Sequence, residues 1–325
     1  MRNFLRIMSC VLIAIYGLNT HAAQSETYPS RTVTIVVPFS AGGPVDAMAR
    51  LLASKLTKSF HRPVIVVNHA GAGGIIGMEF VAKSAPDGYT ILYTPISIAI
   101  GPALYRKLPF DARTAFTPVT ELISTTLIIA ANPKVPVSSI QDLVALAKSK
   151  PGQVNFGSSG VADPLQLGME LLEVSAGIHM QAVPYRGQGP MVFGLMAGQV
   201  DVAVMSLAAG LGPIRDGRLR VLAVAGSKRS PALPDVPTVS ESGIAGFNIS
   251  SWHGLFVPVG TPQDIVNRIQ RAAAKAVNSP DMKKRVQAQG NETVGSTPKE
   301  FTAQFNADVD RFISIVKRAH IPYQD

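Results

Sequence analysis

Cysteine is almost missing from this chain: Cys10 is the only one, and it lies in the first apolar stretch. Beyond that stretch there is no thiol for a disulfide, a thiolate metal site or a cysteine nucleophile. Aromatic residues are also scarce, at 6% with a single tryptophan. The basic residues are scattered, as in KSK at 148–150 and KKR at 283–285, without aromatic interleaving, so no nucleic-acid partner is expected. HExxH, GxxxxGK[ST] and GxSxG are absent, and GSSG at 157–160 lacks the spacing of a nucleophile elbow. Of the six histidines none pairs with another at metal-ligand spacing, and His253 merely follows Trp252. No catalytic residue, metal site or cofactor is assigned, and the chain is not expected to be an enzyme.

After residue 18 no apolar run approaches the length needed to span a bilayer. Before it, Arg2 and Arg6 flank a basic start, VLIAIYGL at 11–18 is a short apolar core, and THAA at 20–23 offers small residues for cleavage. This is the pattern of a secretory signal peptide over residues 1–23. Removing it leaves 302 of the 325 residues, enough for two ordinary domains or one large one. A hydrophobic content of 46% against 16% charge reads as globular. The net charge of +9 falls to +7 once Arg2 and Arg6 are gone, a surplus that favours small anions by long-range steering.

Short apolar runs alternate with helical periodicity, which predicts α/β units around mixed, mainly parallel sheets. Strands are expected at 32–39, 63–67 and 89–95, each running into a small-residue loop and a helix; Pro44 suits a first helical position. The order restarts near 125–133, with helices at 138–150 and 165–176 and strands at 154–160, 179–187, 200–206 and 219–227. A proline-rich excursion at 227–243 precedes a strand at 250–260, and the remainder is chiefly helical. Two lobes joined by strands that cross twice explain this order, and ligands favour the cleft between such lobes.

The loops at the helix starts are glycine-rich: FSAGGPVD at 39–46, AGAGG at 70–74, SSG at 158–160 and RGQG at 186–189. Helix starts leave backbone N–H groups without intrahelical partners, and small side chains let a carboxylate or phosphate reach them. Asp46 in the first turn is expected to complement the helix dipole. NHAGAGGIIG at 68–77 invites a dinucleotide reading, but Ile76 occupies the sixth place where that fingerprint needs glycine, and no acidic residue follows a second strand. A nucleotide-dependent enzyme is kept only as a remote alternative.

From YPSRTVTIVVPFSAGGPVD at 28–46 through NHAGAGGIIG, APDGYTILY, GPALY, NFGSSG, VPYRGQGP, MAGQVDV and GRLRVLAVAGSKRSPALPDVPTVSESG to SSWHGLFVPVGTP, the chain resembles the Bug family of periplasmic solute-binding proteins. These are the extracytoplasmic receptors of tripartite tricarboxylate transporters. The resemblance implies a class II, flytrap-like fold with two hinge crossings, one lobe from 24–124 and 251–325 and the other from 125–250. It implies a periplasmic receptor that captures a small carboxylate (a dicarboxylate, amino acid or aromatic acid) and delivers it to the transporter's membrane subunits or, alternatively, to a sensor kinase; the sequence carries no signal of oligomeric state, and a monomer is the default expectation. By the same resemblance Phe39, Ser40, Ala41, Gly43, Ala72, Gly73 and Gly74 line one wall of the cleft. Ser158, Ser159, Asp163, Tyr185 and Gly187 approach from the other.

This chain departs from the family's usual SSGNGSTSH: it has SSGVADPLQ, with Ala162 for a glycine, Asp163 for a hydroxyl residue and Gln166 for histidine. Met205 and Ser206 stand where members often have aspartate. Asp163 has two readings. It recognises an amino group on the ligand, or it caps the helix that begins at Pro164.

Overall fold

The computed structural model describes residues 28–159, 163–249 and 251–323. The expected signal peptide lies outside them.

Each half of the molecule is built from the same strand, loop, helix unit. In the first, β1 (Val33–Val37) leads into α1 (Pro44–Phe60) and then β2 (Val64–Asn68). Pro44 sits at the first turn, where its missing N–H costs nothing. Met48, Ala49, Leu52, Ala53, Leu56 and Phe60 form the buried stripe, and His61, in the left-handed region at φ 53°, ends the helix. Truncating a fully buried Leu52 or Leu56 would cost about 2–5 kcal/mol. A one-turn 3₁₀ segment at Ala72–Gly74 opens α2 (Ile75–Ala82), and β3 (Thr90–Pro95) opens α3 (Ser97–Leu104). Then come β4 (Phe116–Thr125) and, after Thr126, β5 (Leu127–Ala131).

The second half runs α4 (Ile140–Ser149), β6 (Asn155–Ser158), α5 (Pro164–Ala176), β7 (Gln181–Pro184), α6 (Gln188–Ala197), β8 (Val202–Ser206), α7 (Leu207–Arg215) and β9 (Arg220–Val224). The chain returns through β10 (Ser251–Pro258), α8 (Gln263–Val277), α9 (Pro280–Ala288), β11 (Asn291–Thr293) and α10 (Pro298–Arg318). Two sheets result, ordered β11-β4-β10-β3-β1-β2 and β7-β6-β8-β5-β9. This is a two-lobed α/β fold.

The sheets are mixed in a specific way. β1 pairs parallel with β2 and β3, and β6 pairs parallel with β7 and β8. β10 is antiparallel to both β3 and β4, and β5 is antiparallel to both β8 and β9. Most strands of each sheet therefore point one way, but the β11–β4 ladder and the four ladders made by β5 and β10 are antiparallel. β5 and β10 are the strands that enter a sheet directly from the other lobe, without the crossover helix that parallel pairing requires.

α10 ties the halves together. Its Phe301, Phe305 and Phe312 are fully buried, and Phe301 meets the indole of Trp252 edge-on with ring centroids 5.0 Å apart. Trp252 Nε1 donates to Asp308 Oδ2 at 2.8 Å, so the buried indole keeps its hydrogen bond. Thr297 and Glu300 close a reciprocal capping box at the start of this helix.

Candidate functional site

The ends of β1 and β2 carry the two glycine-rich loops of the first lobe, and Asp46 organises both. Its Oδ2 accepts the Gly42 N–H and Arg50 Nε, each at 2.9 Å. Its Oδ1 accepts Asn68 Nδ2 at 2.9 Å, and the same amide donates to the Phe39 carbonyl at 3.0 Å. The Arg50 hydrogen bond first, then the Gly42 N–H and Asn68, hold the carboxyl down at about 2. Asp46 thus does more than complement a dipole: it fixes the path of residues 39–43. Gly43, the N-cap of α1, is extended (φ −77°) and supplies no side-chain cap.

Residues 71–74 all have positive φ, at 138°, 46°, 62° and 101°, and Ala72 is the one non-glycine among them. Glycine takes such values freely, whereas Ala72 is strained by about 1–2 kcal/mol. Gly74 lies under Phe39: a Cβ there would stand 3.5 Å from the ring. At Gly77 a Cβ would come within 2.7 Å of the His69 carbonyl and 2.8 Å of Pro38 Cα. Gly77 therefore lets α2 pack directly on the end of β1, which explains the glycine that a dinucleotide fingerprint would have needed one place earlier.

In the second lobe Asp163 is the N-cap of α5, and its carboxylate is fully engaged. Oδ1 accepts the N–H groups of Leu165 (2.8 Å) and Gln166 (2.9 Å), while Oδ2 accepts the Ser159 hydroxyl. Ser158 Oγ donates to Gln166 Oε1 at 3.0 Å. The next loop is laced to this one, because Tyr185 N–H donates to the Ser158 carbonyl (2.8 Å) and Gly187 N–H to that of Ser159 (2.9 Å). Gly187 caps α6 with no side chain. Gln188, at the start of α6, accepts the Ser206 N–H at 2.8 Å and donates to Ser206 Oγ at 3.0 Å, so Ser206 ties the starts of α6 and α7.

Tyr185 stands apart from the others. Its ring packs against Gly194 in the middle of α6, and its hydroxyl donates to Gln199 Oε1 at 3.2 Å. That hydroxyl is at the far end of α6 from the loop that begins the helix.

Two cavities lie between the lobes and meet at Pro164. One, of about 340 Å³, is bordered by Pro44, Thr125, Gln188, Ser206, Ser251, His253 and Asn291 among others. His253 Nδ1 and the Tyr93 hydroxyl are 2.8 Å apart, and burial pushes the imidazole down to about 4, so it is neutral at physiological pH. The other, of about 290 Å³, is enclosed by α2, α3 and residues 105–110, with Gly73 and Asp163 at its edge. Of the residues expected from sequence, Gly73 and Asp163 border a cavity directly, and Gly43 and Gly187 each immediately precede a lining residue. Phe39, Ser40, Ala41, Ala72, Gly74, Ser158 and Ser159 form the loops behind them. Gln188 lies in the RGQG loop already singled out, though not as a side chain of the site, whereas Thr125, Ser251 and Asn291 had no signal in the sequence, since each is an ordinary polar residue brought to the cleft by a strand end. Among the described residues no three His, Asp or Glu side chains are grouped to hold a metal, and no helix is long and apolar enough to cross a membrane.

Residues 48–321 match the family model described as tripartite tricarboxylate transporter family receptor. The chain is 35% identical over 318 residues to protein BugT of Bordetella pertussis, covering 97% of this chain and 98% of that one. Among solved structures it is similar to the periplasmic binding protein BugD (31% identity, TM-score 0.71, covering 91% of this chain and all of that one). It is also similar to Rpa4515 of R. palustris with adipate (32%, TM-score 0.73, 91% of this chain, 100% of that one). A TctC solute-binding protein from Polaromonas superposes with a TM-score of 0.83 at 27% identity, covering 90% of this chain and 100% of that one.

Proposed function

Because this chain belongs to the tripartite tricarboxylate transporter receptor family, whose solved members are periplasmic solute-binding receptors and not enzymes, we propose that it captures a carboxylate in the interlobe cleft and delivers it to the membrane subunits of such a transporter. The exported monomer, freed of residues 1–23, works with one lobe from 24–124 and 251–325 and the other from 125–250. These lobes turn about the crossings near Thr126 and before β10.

One observation carries the assignment. α1 and α6 begin with glycines that provide no side-chain cap, and their first residues, Pro44 and Gln188, border the same cavity. α5 and α7 begin at the same place but are already capped by Asp163 and Ser206. A bound carboxylate therefore completes the two open helix starts, each interaction contributing about 0.3–1 kcal/mol, more once closure removes water. Residues 39–41 and 43 with 72 and 73 supply N–H groups from one side, Gly74 closing their turn by donating its own N–H to the Gly71 carbonyl at 2.9 Å, and Ser158, Ser159 and Gly187 face them. Asp163 serves as a cap, so the ligand needs no amine, and Tyr185 supports the 185–187 loop from behind.

The test is a thermal-shift screen of the exported protein, stripped by unfolding and refolding, against mono- and dicarboxylates, amino acids and NAD. A ligand at a hundred times its Kd adds about 2.7 kcal/mol, a shift of several degrees. Stabilisation by carboxylates is expected. Stabilisation by NAD alone would sink the receptor reading and return 68–77 to the role of a nucleotide loop.

A further inference from the structure

The 290 Å³ cavity carries information about the ligand beyond its carboxylate. Its walls are Ile75 and Met78 of α2, Ile98, Ile100 and Leu104 of α3, with Phe110 from the loop that follows. Among the described residues that line it, the only ionisable groups are the carboxylate of Asp163 and the phenol of Tyr105; no lysine, arginine or histidine contributes. The structures of two relatives hold dicarboxylates, adipate in Rpa4515 and malate in MatC of Rhodopseudomonas palustris. Here a second carboxylate entering this cavity would be desolvated, without a cation and close to a like charge, an arrangement that is strongly unfavourable.

An uncharged body meets no such penalty. An apolar cavity of about 150 Å³ suffices for a benzene ring, so this one admits a ring or branched chain of about six carbons with space to spare. Nor is the space a packing defect sealed inside the core. It reaches Gly73 in one lobe and Asp163–Pro164 in the other, beside the helix starts proposed to hold the carboxylate. The Ser97 hydroxyl, on its wall, is buried with no hydrogen-bond partner among the described residues. Native interiors rarely leave such a group unpaired unless a guest or water completes it.

We propose that this receptor selects monocarboxylates carrying an uncharged, largely apolar body, and that the body occupies the cavity between α2, α3 and residues 105–110. The inference rests on the carboxylate receptor reading. It also bears on how the chain differs from relatives that hold hydrophilic diacids.

Isothermal titration of the stripped protein with benzoate, cyclohexanecarboxylate, octanoate, adipate and malate separates the two levels. The ring-bearing and medium-chain monoacids are expected to bind at least about tenfold more tightly than adipate or malate. Gly101→Leu supplies the second arm: Gly101 borders the cavity, and its Cβ would meet only Leu108 Cδ1 at 3.6 Å and Cδ2 at 3.9 Å. Filling the cavity this way should abolish the preference. The ladder among ligands is read on the unaltered protein, so it stands even where the variant folds poorly. Adipate or malate binding as tightly as the monoacids overturns this inference and leaves the receptor reading intact. Unchanged monoacid binding by folded Gly101→Leu overturns it as well. Failure of every carboxylate to bind removes both.

Discussion

The two lobes present the same local unit to the cleft, a buried strand, a small-residue loop and a helix with proline in its first turn, yet they finish it differently. In the second lobe Asp163 places its own carboxylate on the N–H groups of Leu165 and Gln166, and α5 is complete as folded. In the first lobe Gly43 leaves α1 open while the acidic residue, Asp46, has moved inside the first turn and bonds the loop instead of the helix end. One lobe is self-satisfied at this point and the other is unfinished. An anion adds most where a helix start has no anion of its own, so the difference separates an open helix start from a capped one; in the second lobe the open start is that of α6, at Gly187, and not that of α5.

The comparison breaks most directly if the open start is given the closed start's residue. Gly43 is extended and a Cβ there would find only the Ser40 carbonyl, at 3.7 Å, so Gly43→Asp fits without strain. A fixed carboxylate at α1 should leave stability unchanged or raise it by a few tenths of a kcal/mol. Carboxylate affinity should fall at least about 100-fold, since like charges some 4 Å apart repel by several kcal/mol at a protein surface. Wild-type affinity in this variant would show that α1 does not hold the anion. Next in size is Asp46→Ala, which strands Asn68 and the Gly42 N–H. It should cost about 2–4 kcal/mol, seen as a lowered Tm even without ligand. The folded pKa of Asp46 is lowered, so its stabilisation is fully present above the ordinary 3.8 and is lost as pH falls through about 2. The acid limb of the Tm–pH profile should therefore flatten in the variant.

How much of this was legible before folding varied with the kind of information required. The glycine loops and α1 were readable because φ requirements and apolar spacing are local. β4 was not: its Pro118 argues against an interior strand, and its buried Glu121 spoils the apolar pattern. Burial drives the Glu121 carboxyl up to about 7, with the nearby Asp308 charge adding to the effect, so the side chain can stay neutral where sequence rules expect a charged, exposed residue. The reversed direction of β5 and β10 was invisible because an apolar run looks the same whichever way it points. Only the connections before and after it decide. Tyr185 was assigned to the cleft by resemblance, whereas Gly194 opens a seat on α6 for its ring and draws its hydroxyl to Gln199. The apolar cavity was hidden for a related reason. Ile75, Met78, Ile98, Leu104 and Phe110 each read as core, and only the packing of α2 beside α3 leaves space among them.

The closed side of the comparison is sharpened at Asp163. Asparagine caps a helix about as well as aspartate, so Asp163→Asn should change stability by less than about 0.5 kcal/mol, while Asp163→Ala should cost about 1 kcal/mol. Removing the charge at the mouth of the cleft should raise affinity for a simple monocarboxylate about two- to fivefold. A preference for amino acids over plain acids that vanishes in Asp163→Asn would restore the amine-recognition reading, and titration of both variants with matched pairs of ligands decides it.

The smallest effect concerns how the open side keeps its shape without a cap. Ala72 is held at φ 46° between glycines that reach such values freely, and nothing comparable is seen at Ser158 or Ser159 in the opposite loop. Ala72→Gly removes the Cβ strain but adds backbone freedom to the unfolded chain; the two partly cancel, and the net change should be within about 1 kcal/mol, in the stabilising direction. If the turn serves only to let α2 begin, carboxylate affinity will stay within about twofold of wild type. If the strained alanine keeps the N–H groups of Ala72 and Gly73 aimed into the cleft before the ligand arrives, affinity will fall while the Tm of the empty protein does not. The added flexibility must then be frozen on binding. Calorimetry on the stripped variant distinguishes these outcomes, because the second adds an unfavourable entropy that the first lacks.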